Sequence, residues 1–361
     1  MVILLVSLLQ GGLAWYTSHL GKHRLALFLL ITLGLTLRIF VSTDYFLHDW
    51  DERYHALVAK HLLEHPLVFT LYDTPVLPYD YQNWAGNHIW LHKPPMTLWC
   101  IALSYKLFGV NLLALRLPSI LMSTLLIPII YGIGKQMFNQ RVAFVAAFLM
   151  SIQGFVIEMS GGRFATDHPD VHFLFWVCLA VWSTLRFHER GHWKWNVLAA
   201  VSLAAAILTK WLPALILLPI WVVAADHYWG HWKNYWKPLC GFVALVVLLT
   251  VPWQWYIHTY FPLEAAWEAS FNRLHIFKAL DGQEGDIFFH LNKMRMQFGE
   301  LIYLPLLWIA WRFRRLITRY QWRILLLWLL LPYGFFSLVA TKMPAYPLFA
   351  APALLLITAY A

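Results

Sequence analysis

The residues of this chain that are equipped for chemistry fall in a few places. Asp51 and Glu52 adjoin each other at the head of the segment DERYHALVAKHLLE. His92 and Lys93 precede two prolines, and Arg163 and Asp167 share the short run GGRFATDH. Lys210 sits between two apolar runs, Arg273 follows Asn272, and Lys342 and Tyr346 bracket Pro344. Carboxylates among several cations suit group transfer from a phosphate. One carboxylate can accept the proton of an attacking hydroxyl as attack proceeds. Two or more cations stabilise the charge that grows on the departing phosphate. Lys93, Arg163, Lys210, Arg273 and Lys342 are therefore candidates to converge on one cavity with Asp51 and Asp167.

Each group also has a plainer reading. Carboxylates such as Asp51 and Glu52 complement the positive dipole at a helix start. Lys93 can snorkel at a membrane interface. Thr166 or Asp167 can cap the following helix, with Pro169 in its first turn. An interfacial His92 can simply be hydrogen-bonded. Lys210 is the most pointed case, because ionisable residues at membrane depth are expensive and usually functional.

The elements that must position these residues are membrane helices. The 361 residues are 60% hydrophobic and only 12% charged, which leaves most of the surface facing something other than water. A spanning helix needs about 20 mainly apolar residues. Ten runs qualify as candidates: 24–43, 112–134, 142–159, 169–186, 195–209, 211–225, 238–256, 299–311, 323–340 and 345–361. The fifth and sixth meet at Thr209-Lys210-Trp211, as two short helices or one broken re-entrant pair. The stretch Val2 to Leu9 lacks a positive leader and a cleavage site, and reads as a partial extra span or an upstream extension. Cys100, Cys178 and Cys240 read as single buried thiols.

Basic turns orient the helices. Lys135 to Arg141, Arg186 to Lys194, His231 to Lys237 and Arg312 to Arg323 alternate onto one side, the cytoplasmic one. The long segments 44–111 and 257–298 then lie outside. Of the acidic residues only Glu189 and Asp226 fall inside. In the first outer loop, residues 51–64 read as a short interfacial helix. Pro94 and Pro95 open a second one that Gly109 ends. The net charge of +9 is explained by topology and contact with anionic membrane lipids, so nucleic acid is not an expected partner.

Taken together, these landmarks make the chain resemble the GT-C glycosyltransferases that use polyprenol-linked sugars. Within them it is similar to the protein O-mannosyltransferase group, which includes the bacterial aminoarabinose transferases that act on lipid A. The landmarks are Asp51-Glu52-Arg53-Tyr54, Lys93-Pro94-Pro95, Arg163 with Asp167, Leu208-Thr209-Lys210 with Leu212-Pro213, Asn272-Arg273 and Lys342-Met343-Pro344-Ala345-Tyr346. The resemblance implies an all-α integral membrane bundle, one transmembrane domain over 1–361, in a bacterial inner membrane. It implies Asp51 as the leading catalytic carboxylate, with Asp167 as a second acidic site residue and Glu52 beside them. It implies Lys93, Lys210, Arg273 and Lys342, with Tyr346, near the polyprenyl phosphate. The expected activity moves a sugar from that lipid to a protein, lipid A or other envelope acceptor on the outer face, with inversion. The alternative is a transporter or flippase of lipid-linked saccharide, which should show paired broken helices in two related halves. Relatives of the aminoarabinose branch carry an acid where this chain has His92, and a histidine where it has Ser270. Those positions are associated with a divalent metal, for which His92 is the candidate ligand here. The chain stops within an apolar run at Ala361, as expected of a short form or a fragment of a longer protein.

Overall fold

In a bilayer the backbone must satisfy its own polar groups within each segment, so apolar runs bounded by basic turns can only be helices. The computed structural model describes residues 2–86, 88–164 and 168–361. Its helices run α1 (Val2–His19), α2 (His23–Val41), α3 (Asp51–His61), α4 (Pro95–Phe108), α5 (Leu112–Met137), α6 (Gln140–Ser151), α7 (Gly154–Ser160) and α8 (His168–Arg190). They continue α9 (Trp193–Lys210), α10 (Leu217–Trp229), α11 (Trp236–Tyr260), α12 (Pro262–Phe277), α13 (Phe289–Phe298), α14 (Tyr303–Leu316), α15 (Tyr320–Leu338) and α16 (Ala351–Tyr360). No strand occurs among the described residues; one isolated antiparallel bridge joins Thr70 and Ile89.

Among the described residues seven helices are long and apolar enough to cross a membrane: α1, α2, α5, α8, α11, α15 and the stretch Leu212–Trp229 that ends in α10. The bent pair α6 and α7, kinked by 47°, makes an eighth. Each apolar run read from the sequence contains a helix, but three fall short of a full span. α9 carries Lys194, Asn196 and Lys210, α14 ends in Arg312, Arg314 and Arg315, and the last helix, Leu348–Tyr360, is short. The stretch from Val2 is part of α1, a helix of spanning length. Of the three free cysteines only Cys178 is buried, and Cys240 is exposed on α11, which corrects the expectation of three buried thiols.

The turns beside Lys135 and Arg319 gather at one end, and His227 near the end of α10 stacks on Tyr320 there. There the rings of Phe138, Trp308, Trp322 and Tyr360 pack on one another. The other end carries α3, α4, α12 and α13. Its apolar residues form a core of their own, in which Val58, Phe69, Trp90 and Leu98 meet Leu208 of α9 and Trp253 of α11. This second core fixes the segment between α2 and α5 against the bundle. Within the bundle the buried Arg38 of α2 donates to Ser123 Oγ of α5 at 2.9 Å and to the carbonyls of Met150 and Ser151 at 3.2 Å. It therefore satisfies carbonyls that the break between α6 and α7 leaves without helical partners.

Candidate active site

Neighbouring residues on a helix point about 100° apart, and α3 uses this to divide Asp51 from Glu52. Glu52 is fully buried. Arg116 grips it through two bonds, Nε to Oε1 at 2.7 Å and Nη2 to Oε2 at 3.1 Å. The His48 N–H adds a bond of 2.7 Å, and His168 Nε2 stands 3.5 Å away. The same guanidinium donates to the carbonyls of Ser42, Asp44 and Phe46. Burial alone would raise the Glu52 pKa, but hydrogen bonds from His168 and Arg116 outweigh it and hold the carboxyl down at about 2. Gly162 closes over this pair: its φ is +75°, and a Cβ there would lie 2.2 Å from Glu52 Oε1. The sequence reading put Glu52 among the catalytic acids. The structure instead makes it a walled-in anchor for the segment entering α3.

Asp51 faces the other way. Its Oδ2 is 3.4 Å from Lys93 Nζ, and both side chains keep partial exposure, 14% and 26%. Lys93 is placed by the extended Pro94 that caps α4 and by Pro95 in its first turn. Burial pushes the Asp51 pKa up, and the charges of Lys93, His55 and His92 more than reverse this, so it lies below the ordinary carboxylate range. Asp51 is therefore held ionised next to a cation.

The second cationic group comes from the hairpin of α9 and α10. α9 ends at Lys210, and Trp211 turns the chain with φ +66°. Lys210 forms an ion pair with the buried Asp170 in the first turn of α8, and its ammonium lies 5.0 Å from the Tyr346 ring centroid. Asp170 feels the charges of Lys93 and Asp51 as well, and Tyr346 those of Asp170 and Asp51. So Asp51, Lys93, Asp170, Lys210 and Tyr346 form one group at this end of the bundle. Sequence reasoning missed Asp170. The available signal was an acid one position into a span, on the same side as an intramembrane lysine.

Other candidates stand apart. Arg163 donates to Asp44 Oδ2 at 3.0 Å and to Glu158 Oε2 at 3.2 Å. Arg273 is exposed on α12 and has no ion-pair partner among the described residues. Lys342 is 3% exposed and spends its ammonium on the carbonyls of Phe336 and Ser337, at 3.1 and 2.5 Å, at the end of α15. Its pKa is lowered by burial against the pull of Asp286. It caps a helix here instead of joining the Asp51 group. Asp167 lies outside the described residues.

His92 stacks on Trp84 at 4.5 Å, and its Nδ1 is 3.4 Å from Glu268 Oε2. Burial first, then Lys93, lower its pKa, while Glu268 opposes them. Among the described residues no group of three or more His, Cys, Asp or Glu side chains converges as a metal would require. One imidazole and one carboxylate are fewer than the three protein ligands of typical catalytic zinc sites. Among the described residues this donor set, one imidazole and one carboxylate at His92, does not fit a resident divalent metal.

Comparison with known proteins agrees with this architecture. Residues 92–255 match the family model of dolichyl-phosphate-mannose-protein mannosyltransferases. The undecaprenyl phosphate-alpha-4-amino-4-deoxy-L-arabinose arabinosyl transferase 2 of Pseudomonas fluorescens is 30% identical over 287 residues, covering 73% of this chain and 49% of that protein. An uncharacterised protein of Aquifex aeolicus is 27% identical over 277 residues, 76% of this chain and 54% of its own length. The chain thus spans about half the length of the curated relatives it matches. Among solved structures, ArnT from Cupriavidus metallidurans bound to undecaprenyl phosphate superposes with a TM-score of 0.69 at 20% identity, over 92% of this chain and 59% of that one. The Archaeoglobus fulgidus oligosaccharyltransferase in the apo form gives 0.59 at 16%, over 93% and 50%. Those two likenesses establish the fold. By fold and by sequence, the chain is similar to the GT-C group that contains the protein O-mannosyltransferases and the aminoarabinose transferases.

Proposed function

We propose that the chain transfers a sugar from a polyprenyl-phosphate donor to an envelope acceptor, a protein, lipid A or another glycan carrier. The transfer takes place on the non-cytoplasmic face of a bacterial inner membrane. The observation that carries this reading is the ionised Asp51 beside Lys93, with the Lys210–Asp170 pair in the same group. The relatives supply the donor class by analogy: one is named for an undecaprenyl-phosphate sugar, and the ArnT structure holds undecaprenyl phosphate. The basic turns at the far end support the orientation.

In this mechanism the acceptor oxygen attacks the anomeric carbon as the bond from that carbon to the phosphate oxygen breaks. The bonding pair leaves with the phosphate, whose growing charge meets Lys93 and Lys210. The acceptor proton passes to Asp51. A single displacement inverts the sugar. Asp167 is proposed as a further acid of the site, and Arg163, Arg273 and Lys342 as outer cations that a bound lipid phosphate recruits. Glu52 acts through position only, by holding α3 in register.

The test is transfer in reconstituted vesicles with labelled polyprenyl-phosphate sugars, for the natural chain and Asp51→Asn. The expected loss is about a hundredfold or more. Equal transfer by both would remove Asp51 from its role. Movement of labelled lipid across the bilayer without transfer would favour the transport alternative.

A further inference from the structure

A cleft of about 510 Å³ opens beside α3, lined by residues that the mechanism above does not use. This volume lies within the range of ligand sites, about 300–1,000 Å³. One wall is a face of α3: Trp50, Arg53, Tyr54 and Leu57 follow the i, i+3, i+4, i+7 pattern of one helical stripe. The other wall is Leu71 and Tyr72. That wall is held by the Thr70–Ile89 bridge, by the Leu71 N–H bond to the His88 carbonyl at 2.8 Å, and by Tyr72 Oη donating to the Ala85 carbonyl at 3.1 Å. Asp49 and Arg53 form an ion pair at the rim, open to solvent.

Three features mark this as a binding surface. First, Trp50 is 63% exposed and adopts φ +69°, a region that bulky residues rarely occupy and that persists only where the surroundings enforce it. Second, the cleft pairs aromatic faces with a carboxylate and a guanidinium. Sugar rings present apolar C–H faces for rings and hydroxyls for charged hydrogen-bonding groups, so this combination matches a carbohydrate. Third, Tyr54 lines the cleft together with Tyr72 and lies one helical turn from Asp51 on α3, on the same side of the helix, so the cleft and the base share a wall.

We propose that this cleft binds a carbohydrate portion of the acceptor and delivers its nucleophile to Asp51 past Tyr54. The acceptor is then a glycolipid or glycan, not a bare peptide. This assignment rests on the transferase reading above. It places the acceptor on the Tyr54 side of Asp51 and the donor phosphate on the Lys93 side, as in-line displacement requires.

The experiment has two arms. In the first, the full chain in lipid nanodiscs is mixed with the water-soluble, de-acylated carbohydrate of a bacterial envelope glycolipid. Saturation-transfer NMR then reads binding. Saturation of the sugar protons is expected, with affinity falling roughly tenfold in Trp50→Leu and in Tyr72→Leu. No saturation with the natural chain, or unchanged affinity in both variants, would overturn the proposal and leave Trp50 an interfacial anchor. In the second arm, transfer kinetics with the intact glycolipid should show a raised acceptor KM and an unchanged donor KM in both variants. An acceptor KM equal to that of the natural chain, or a raised donor KM instead, sinks this inference and leaves the transferase reading standing. Binding without transfer from any donor sinks the transferase reading and leaves the cleft assignment standing.

Discussion

Asp51 Oδ2 and Lys93 Nζ stand 3.4 Å apart, one from the first turn of α3 and the other from the residue before the Pro94 cap of α4. The pair joins two short helices that share no sequence neighbourhood, and it sets the charge of the proposed base. Asp51 is active as a base when ionised, and Lys93 favours that form against burial. In Lys93→Met the burial contribution is left less opposed and the Asp51 pKa rises. The acidic limb of the kcat/KM profile should therefore move to higher pH, whereas Lys93→Arg should keep it low. An unmoved limb in Lys93→Met would show that Asp51 does not titrate in that profile.

The buried Glu52–Arg116 pair predicts a stability effect. Arg116→Met leaves a buried carboxylate without its main partner, which costs about 3–5 kcal/mol. The double variant Arg116→Met with Glu52→Gln should recover much of this. Against the effect of burial, the hydrogen bonds from His168 and Arg116 depress the Glu52 pKa from the ordinary carboxylate value near 4.5 to about 2. Its contribution is therefore complete above about 4.5 and is lost as pH falls from there toward 2. Unfolding midpoints in detergent across that window check both statements.

Tyr346 offers its ring to Lys210, so the ring and not the hydroxyl should matter. Tyr346→Phe should retain donor binding, while Tyr346→Leu should weaken it by roughly two- to thirtyfold, the span of about 0.5–2 kcal/mol for cation–π contacts. Titration of the reconstituted chain with polyprenyl phosphate measures this directly.

Gly162 tolerates no side chain for two reasons, its φ of +75° and the nearness of Glu52. Gly162→Ala should lower the thermal midpoint, with about 1–2 kcal/mol from the backbone alone and more from the contact with Glu52. The control Gly154→Ala meets nothing within 4 Å and should leave the midpoint nearly unchanged.

The donor set at His92, one imidazole and one carboxylate among the described residues, predicts that no divalent metal is needed. Transfer should survive exhaustive chelation, and added zinc should not stimulate it. A chelator-sensitive activity that zinc restores would require ligands beyond this pair.

Much of the architecture was legible because membrane helices announce themselves. The apolar runs, the basic turns and the two prolines before α4 each follow from local rules, and the break at Lys210 appeared as a lysine between apolar runs. The division of labour between Asp51 and Glu52 was not legible. It depends on Arg116, which lies 64 residues from Glu52 and looks in sequence like an ordinary cation near a helix start. Asp170 was hidden by its proximity to Asp167, the more obvious acid. Lys342 was ambiguous in sequence, because a lysine beside Pro344 suits a phosphate site as well as a helix cap. His92 could be matched with Glu268 only once α12 was laid against the first outer loop.

Arg116 also draws the carbonyls of Ser42, Asp44 and Phe46 onto the guanidinium that grips Glu52. The connector from α2 to α3 is thereby cut to a fixed length. One residue inserted between 43 and 50 would either break those bonds or turn α3 by about 100°, presenting a different side chain to Lys93. Insertions near 73–80, where the chain is exposed and pinned chiefly by one aspartate-to-histidine contact, should pass unnoticed. A scan of single-residue insertions along the first outer loop should thus divide it sharply, with an intolerant gauge segment leading into the base and a permissive stretch beyond it.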